Sequence, residues 1–107
     1  MFEQAVLLAL LRPRTELGKE GYGRAILAEV QHRLDRPVAA GAVYATLDRL
    51  ETKGLVSSTL GPGTPARGGR PKRHYRIEAA GVRALSDARA AADRLWAGLR
   101  LPLKGTS

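Results

Sequence analysis

The sequence predicts a mainly α-helical domain with one small β-hairpin, in the order helix, helix, helix, hairpin, long helix. Three observations carry this. Apolar residues recur at three- and four-residue steps before Gly54 and again after Glu78. Between those regions, "LVSSTL" is β-branched and serine-rich, and "RHYRI" alternates polar and apolar, as strands do. Glycine or proline stands where the helical periods break off.

The first helix lies in "MFEQAVLLALLRP", with Phe2, Val6 and Leu10 on one side, Leu7 and Leu11 beside them, and Pro13 as its stop. So many apolar residues in a short helix predict that more than one face is covered. The next piece, "RTELGKEG", is polar and glycine-containing, hence a loop. A second helix opens at Gly21, with Tyr22, Ile26, Leu27, Val30 and Leu34 at helix-face spacing, and Asp35-Arg36-Pro37 closes it. A third runs from about Ala40 to Lys53, with Val43, Leu47 and Leu50 inward and Gly54 just past its end. The hairpin that follows has a Gly/Pro-rich connection from Gly61, well beyond the roughly two to five residues usual for such loops. The last helix runs from Glu78 to about Leu101. Its Gly81, Leu85, Ala88, Ala92, Leu95 and Leu99 form a seam suited to another helix, with Trp96 beside it.

Three helices followed by a two-stranded hairpin make a winged helix-turn-helix, here joined to a long C-terminal dimerisation helix. Residues 1–77 are read as the DNA-binding domain and 78–107 as the dimerisation helix and tail. At 107 residues the chain is one domain in size. It has no cysteine, which excludes disulfides, thiolate metal sites and cysteine nucleophiles. The longest apolar run, Ala5 to Leu11, is seven residues, against the ~20 needed to span a bilayer. The chain therefore reads as soluble and cytoplasmic, with no membrane partner.

The formal net charge of +8 points to an anionic partner, nucleic acid first. Its placement sharpens this. The stretch Gly61 to Ile77 holds five basic side chains and no acidic one. Arg67, Arg70, Lys72 and Arg73 form a positive wing that can lie along a DNA backbone or reach into a minor groove. Arg76 lies within the strand and can simply face solvent. The third helix begins with small residues, Ala39 to Ala42, which allow close approach to phosphate where free N–H groups favour an anion. Ala40, Gly41, Tyr44, Ala45 and Arg49 are therefore the candidate contacts for a major groove. The blander readings are an amphipathic core helix with Tyr44 half buried, and a solvated loop. A winged-helix protein-interaction module is the alternative function, against which the positive wing argues.

Other chemistry finds little support. His32 and His74 are the only histidines and have no convincing metal-binding partners at helical offsets, so no metal or cofactor is expected. Ser57, Ser58 and Ser86 sit in no nucleophile motif, and the acids are scattered, so the chain does not read as an enzyme.

"EGYGRAILAEVQHRLDRPVAAGAVYATLDRLETKGLV", followed by "GGRPKRHYRIEAAG", resembles the PadR family of bacterial transcriptional regulators, in its small, single-domain form. The specific elements are Gly21-Tyr22, the pattern G-x-x-Y-x-x-L-x-x-L-E-x-x-G-L-V from Gly41 to Val56, and Y-R-I-x-x-x-G from Tyr75 to Gly81. The chain departs from the family pattern at Glu20, usually histidine, at Ala39, usually serine, and at Glu78, often threonine. The serine would have supplied a side-chain N-cap worth ~1 kcal/mol. The resemblance implies a homodimer held by the first and last helices, generally a repressor on a partly palindromic operator. Phe2, Val6, Leu10, Leu85, Ala88, Ala92, Leu95, Trp96 and Leu99 are the interface residues expected on that basis. It further implies two roles for Trp96, an interface anchor or a stacking surface for a small planar aromatic effector.

Overall fold

The chain runs α1 (Phe2–Leu10), α2 (Gly23–Leu34), α3 (Ala40–Thr52), β1 (Val56–Leu60), β2 (Arg73–Ile77) and α4 (Ala79–Trp96) in the computed structural model. The structure describes residues 2–11, 23–60 and 73–103. Among the described residues, four helices with one two-stranded antiparallel sheet form the winged helix that the sequence predicts.

Helix α1 is the hub. Ala5, Val6, Leu7, Ala9 and Leu10 are all buried, and the helix packs against α2, α3, β2 and α4. Its apolar residues run round the helix because neighbours of its own chain cover most of it. Val6, Ile26, Val30, Val43, Leu47 and Leu50 are completely buried, each contributing about 1.5–3 kcal/mol relative to exposure. Part of the expected dimer seam is already covered within the protomer. Val6 has no exposed surface, and Leu10 and Leu85 keep only 8% and 9%, so these three belong to the protomer's own core. Apolar surface that the protomer does not cover includes Leu11 and Val82 and, toward the C-terminal end, Leu95, Trp96, Leu99, Leu101 and Leu103.

The helix ends follow from local chemistry. Asp35 takes a left-handed φ of 54° after α2, and the N–H of Arg36 reaches back to the carbonyl of Gln31 at 3.3 Å. Short polar residues tolerate that conformation better than most. Helix α3 closes the same way. Gly54 sits at φ 79°, its N–H bonded to the Glu51 carbonyl and the Leu55 N–H to the Leu50 carbonyl, both at 2.9 Å. At the other end of α3, Ala39 offers no side-chain cap. Helix α4 stops at Trp96, five residues before the expected Leu101. Ala97 leaves helical geometry and Gly98 adopts φ 74°, a stop that the sequence carried in plain view.

The hairpin is held to the helices at its base. Val56 pairs with Ile77, Ser58 with Tyr75 and Leu60 with Arg73. The N–H of Glu78 donates to the carbonyl of Leu55 at 2.9 Å. A Cβ on Gly81 would collide with that same carbonyl oxygen and with Ile77. Glycine is therefore what allows the first turn of α4 to lie on the turn that leaves α3. Ser57 donates to the Glu78 carboxylate at 2.6 Å, which leaves α4 with no side-chain N-cap from that residue. Tyr75 is buried, and burial, reinforced by the Asp48 carboxylate, holds its hydroxyl above the ordinary phenol range. The wing tip expected between the strands, with Arg67, Arg70 and Lys72, lies outside the described residues, as does the opening of the second helix at Gly21-Tyr22.

Candidate nucleic-acid interface

Helix α3 buries Val43, Thr46, Leu47 and Leu50 and turns Ala40, Gly41, Tyr44, Ala45 and Asp48 outward. The outward strip is almost without bulk over its first turn. Nothing lies within 4 Å of where a Cβ on Gly41 would stand. Packing does not require glycine there, and an exposed helical glycine costs about 0.5–1 kcal/mol relative to alanine. The N–H groups of Ala40 and Gly41 precede the first intrahelical acceptor, the Ala39 carbonyl, which takes the N–H of Ala42 at 3.1 Å and of Val43 at 3.3 Å. An open backbone with free donors at the positive end of a helix dipole suits a phosphate or a base edge.

Tyr44 is anchored as well as exposed. Its ring lies over Gly23 at the start of α2, so that a Cβ there would collide with the ring and hydroxyl, yet 43% of the residue remains accessible. The half-buried reading and the interface reading thus describe the same side chain. Asp48 stands one turn beyond Tyr44 on the strip. It was missed as a candidate, although its four-residue spacing from Tyr44 places it on that face.

Arg49, expected at the groove, is exposed over more than half of its side chain, but its guanidinium is drawn toward α1. Its Nε lies 3.7 Å from Glu3 Oε2, and its Nη2 donates to Thr46 Oγ1 at 3.0 Å. Lys53 Nζ reaches both oxygens of the same carboxylate at 3.2 Å. No sequence spacing announces Glu3 as the partner of residues in α3.

On the wing, Arg73 shares a face with Tyr75 and Ser58. Its Nη1 donates to Ser58 Oγ at 2.8 Å, and Ser58 in turn donates to Glu51 Oε2 at 2.8 Å. This relay ties the middle of β1 and the start of β2 to the last turn of α3. Arg76 is exposed on the opposite face of the strand.

Beyond Arg89 every described residue of α4 is exposed, and Leu95, Trp96 and Leu99 stand 76%, 52% and 68% accessible. Ala88 is half-buried and Ala92 exposed, and Phe2 is half-buried beside the core. An open groove of about 520 Å³ runs between α1 and α4, lined by Leu8, Leu11, Val82, Leu85 and Ala92 together with Gln4, Ser86 and Arg89. Among the described residues, no group of three or more metal-ligating side chains gathers. No helix among them is long and apolar enough to cross a membrane.

Comparison with known proteins agrees with this geometry. The profile of the transcriptional regulator PadR-like family matches residues 8–87. A PadR-like transcription factor from Bacteroides fragilis shares the fold with a TM-score of 0.70 at 22% identity, over 87% of this chain and 81% of that one. A PadR family transcriptional regulator from Eggerthella lenta aligns with a TM-score of 0.63 at 29% identity, over 87% and 75%. RosR of H. salinarum aligns with a TM-score of 0.65 at 26% identity, over 92% and 78%. No curated protein sequence matches significantly.

Proposed function

The chain belongs to the PadR-like family of transcriptional regulators, and on that premise we propose that it works as a homodimeric repressor on a specific, partly palindromic operator. Family members are transcription regulators rather than enzymes. The observation that carries the reading is the open start of α3, where Gly41 is exposed, sterically unneeded and beside free backbone donors. Ala40, Gly41, Tyr44 and Ala45 enter the major groove. Arg67, Arg70, Lys72 and Arg73 lie on the backbone or in a minor groove and supply affinity that is largely independent of sequence.

In this reading residues 1–77 bind DNA and 78–107 make the dimer. Leu95, Trp96 and Leu99 are its apolar anchors, joined by Phe2, Ala88 and Ala92. Exposed large apolar side chains at and just beyond the end of α4 support this, because water-facing patches of that kind usually mark an interface. A two-fold axis through α4 repeats the reading helix, which is why the operator is partly palindromic. Trp96 lies where a planar aromatic effector could stack at the interface and shift the two reading helices.

The test is a gel shift of the full chain on DNA from its own upstream region and on random DNA over a range of salt. Tighter binding to the upstream fragment, with affinity to both falling steeply in salt, supports the reading. Absence of salt-dependent binding to either would leave the winged helix as a protein-interaction module.

A further inference from the structure

We infer that Glu3 and Arg49 form a positioning link between α1 and the reading helix, and that Arg49 does not read bases. The inference rests on the DNA-binding function proposed above. Arg49 is the arginine that residue type alone would nominate for base contact. Its guanidinium, however, faces a carboxylate of another helix on one side and the hydroxyl of Thr46 on the other. Thr46 is only 1% exposed, so Arg49 supplies a donor to a buried hydroxyl oxygen. To reach a base it would have to leave both partners. It also stands ~12 Å along the helix axis from Gly41, well back from the end that enters a groove.

The partner makes the link informative. Glu3 takes Lys53 on both oxygens and Arg49 at 3.7 Å, so one carboxylate holds two cations at the C-terminal end of α3, Arg49 in its last turn and Lys53 just past it. Helix α1, which carries Glu3, packs against α4 as well as α3. The tilt of the reading helix is thereby tied to the same helix that supports the proposed dimer arm. A change in how two protomers meet at α4 passes through α1 to the angle at which Gly41 and Tyr44 meet DNA.

The experiment measures full-chain affinity for the upstream fragment and for random DNA, at several salt concentrations. The variants are Glu3→Gln, Arg49→Ala, Arg49→Lys and the Glu3→Gln/Arg49→Ala pair. Asp87→Asn, an exposed acid on α4, controls for the change in net charge. Glu3→Gln and Arg49→Ala are each expected to weaken operator binding by about fivefold more than random-DNA binding, the scale of one half-exposed ion pair. Salt slopes should stay unchanged, the double variant should be no worse than either single one, and Arg49→Lys should keep most of the affinity. The inference is overturned if Arg49→Ala lowers the salt slope while Glu3→Gln tightens binding beyond Asp87→Asn, because Arg49 then touches DNA. Should Arg49→Ala fail to fold, Glu3→Gln decides alone, weaker operator binding at constant slope supporting the link and tighter binding at steeper slope refuting it. A wild-type chain that binds neither DNA would overturn the parent function, and this inference with it.

Discussion

The ring of Tyr44 lies directly over Gly23, so close that a methyl group on that glycine would occupy the space of the tyrosine ring and hydroxyl. This one approach brings α2 and α3 together and fixes an aromatic side chain at the edge of the reading face. Gly23→Ala should destabilise the fold by about 1–3 kcal/mol, as overpacking does. Adding Tyr44→Ala should recover part of the loss, because the obstructed ring is gone. A melting temperature unchanged by Gly23→Ala would mean that Tyr44 swings away at no cost.

Gly41 should behave in the opposite way. With nothing near its Cβ position, Gly41→Ala should raise stability by about 0.5–1 kcal/mol. The same change should weaken DNA binding, since it puts a methyl group where the backbone approaches the duplex. Denaturant unfolding and a gel shift on one preparation read both signs. A variant that is more stable and binds equally well would remove the argument from the open helix start.

Gly81 and Gly54 serve different needs, and alanine should tell them apart. Gly81→Ala meets a backbone carbonyl that also accepts the Glu78 N–H, so nothing nearby can yield easily. Its cost should reach about 3 kcal/mol or more. Gly54 has open space but a left-handed φ of 79°, which should cost alanine about 1–2 kcal/mol. Unfolding midpoints of the two variants give the order directly.

The dimer predictions concern the projecting half of α4. Leu95→Arg should shift the chain toward monomer in sedimentation at micromolar concentration, because a seam would then bury an unpaired charge. Trp96→Ala should lower dimer stability by about 3 kcal/mol if the ring anchors the interface. If it also receives an effector, planar aromatic compounds should quench its fluorescence and loosen DNA binding. A wild-type chain that sediments as a monomer throughout would defeat the dimer.

The wing predictions separate phosphate contact from positioning. Arg70→Ala should weaken binding to all DNA alike and reduce the slope of log affinity against log salt by about two per dimer. Ser58→Ala breaks the relay from Arg73 to Glu51 without removing a cation. It should lower affinity while leaving the salt slope in place. A changed slope in Ser58→Ala would show that the hydroxyl itself meets the DNA backbone.

Much of this molecule is legible from local pattern. The order of elements, the inward faces of α2 and α3, the end of α3 at Gly54 and the two strands all follow from periodicity and stop signals a few residues apart. The open side of the first turn of α3 is equally readable at Gly41, whose exposure follows from the positions of Val43 and Leu47 on the other face. The end of α4 was also written locally, at Gly98, but an apolar spacing that continues to Leu99 and Leu101 masks it.

Local pattern is enough to say which residues share a helical face or a strand side, because those relations span one or two turns of backbone. What covers each face is set by packing between elements. Val6 and Leu85 sit in apolar patterns that suit a core or a partner chain equally well, and packing assigned both to the core. Arg49 likewise carries the charge of a DNA contact. Its tie to Glu3, 46 positions away (49 minus 3), exists only because α1 folds across the end of α3. Helical periodicity repeats every 3.6 residues and holds no information about a neighbour that arrives from another element. Gly81 makes the same point in the backbone, being required by a carbonyl on Leu55 that only the folded chain brings beneath it.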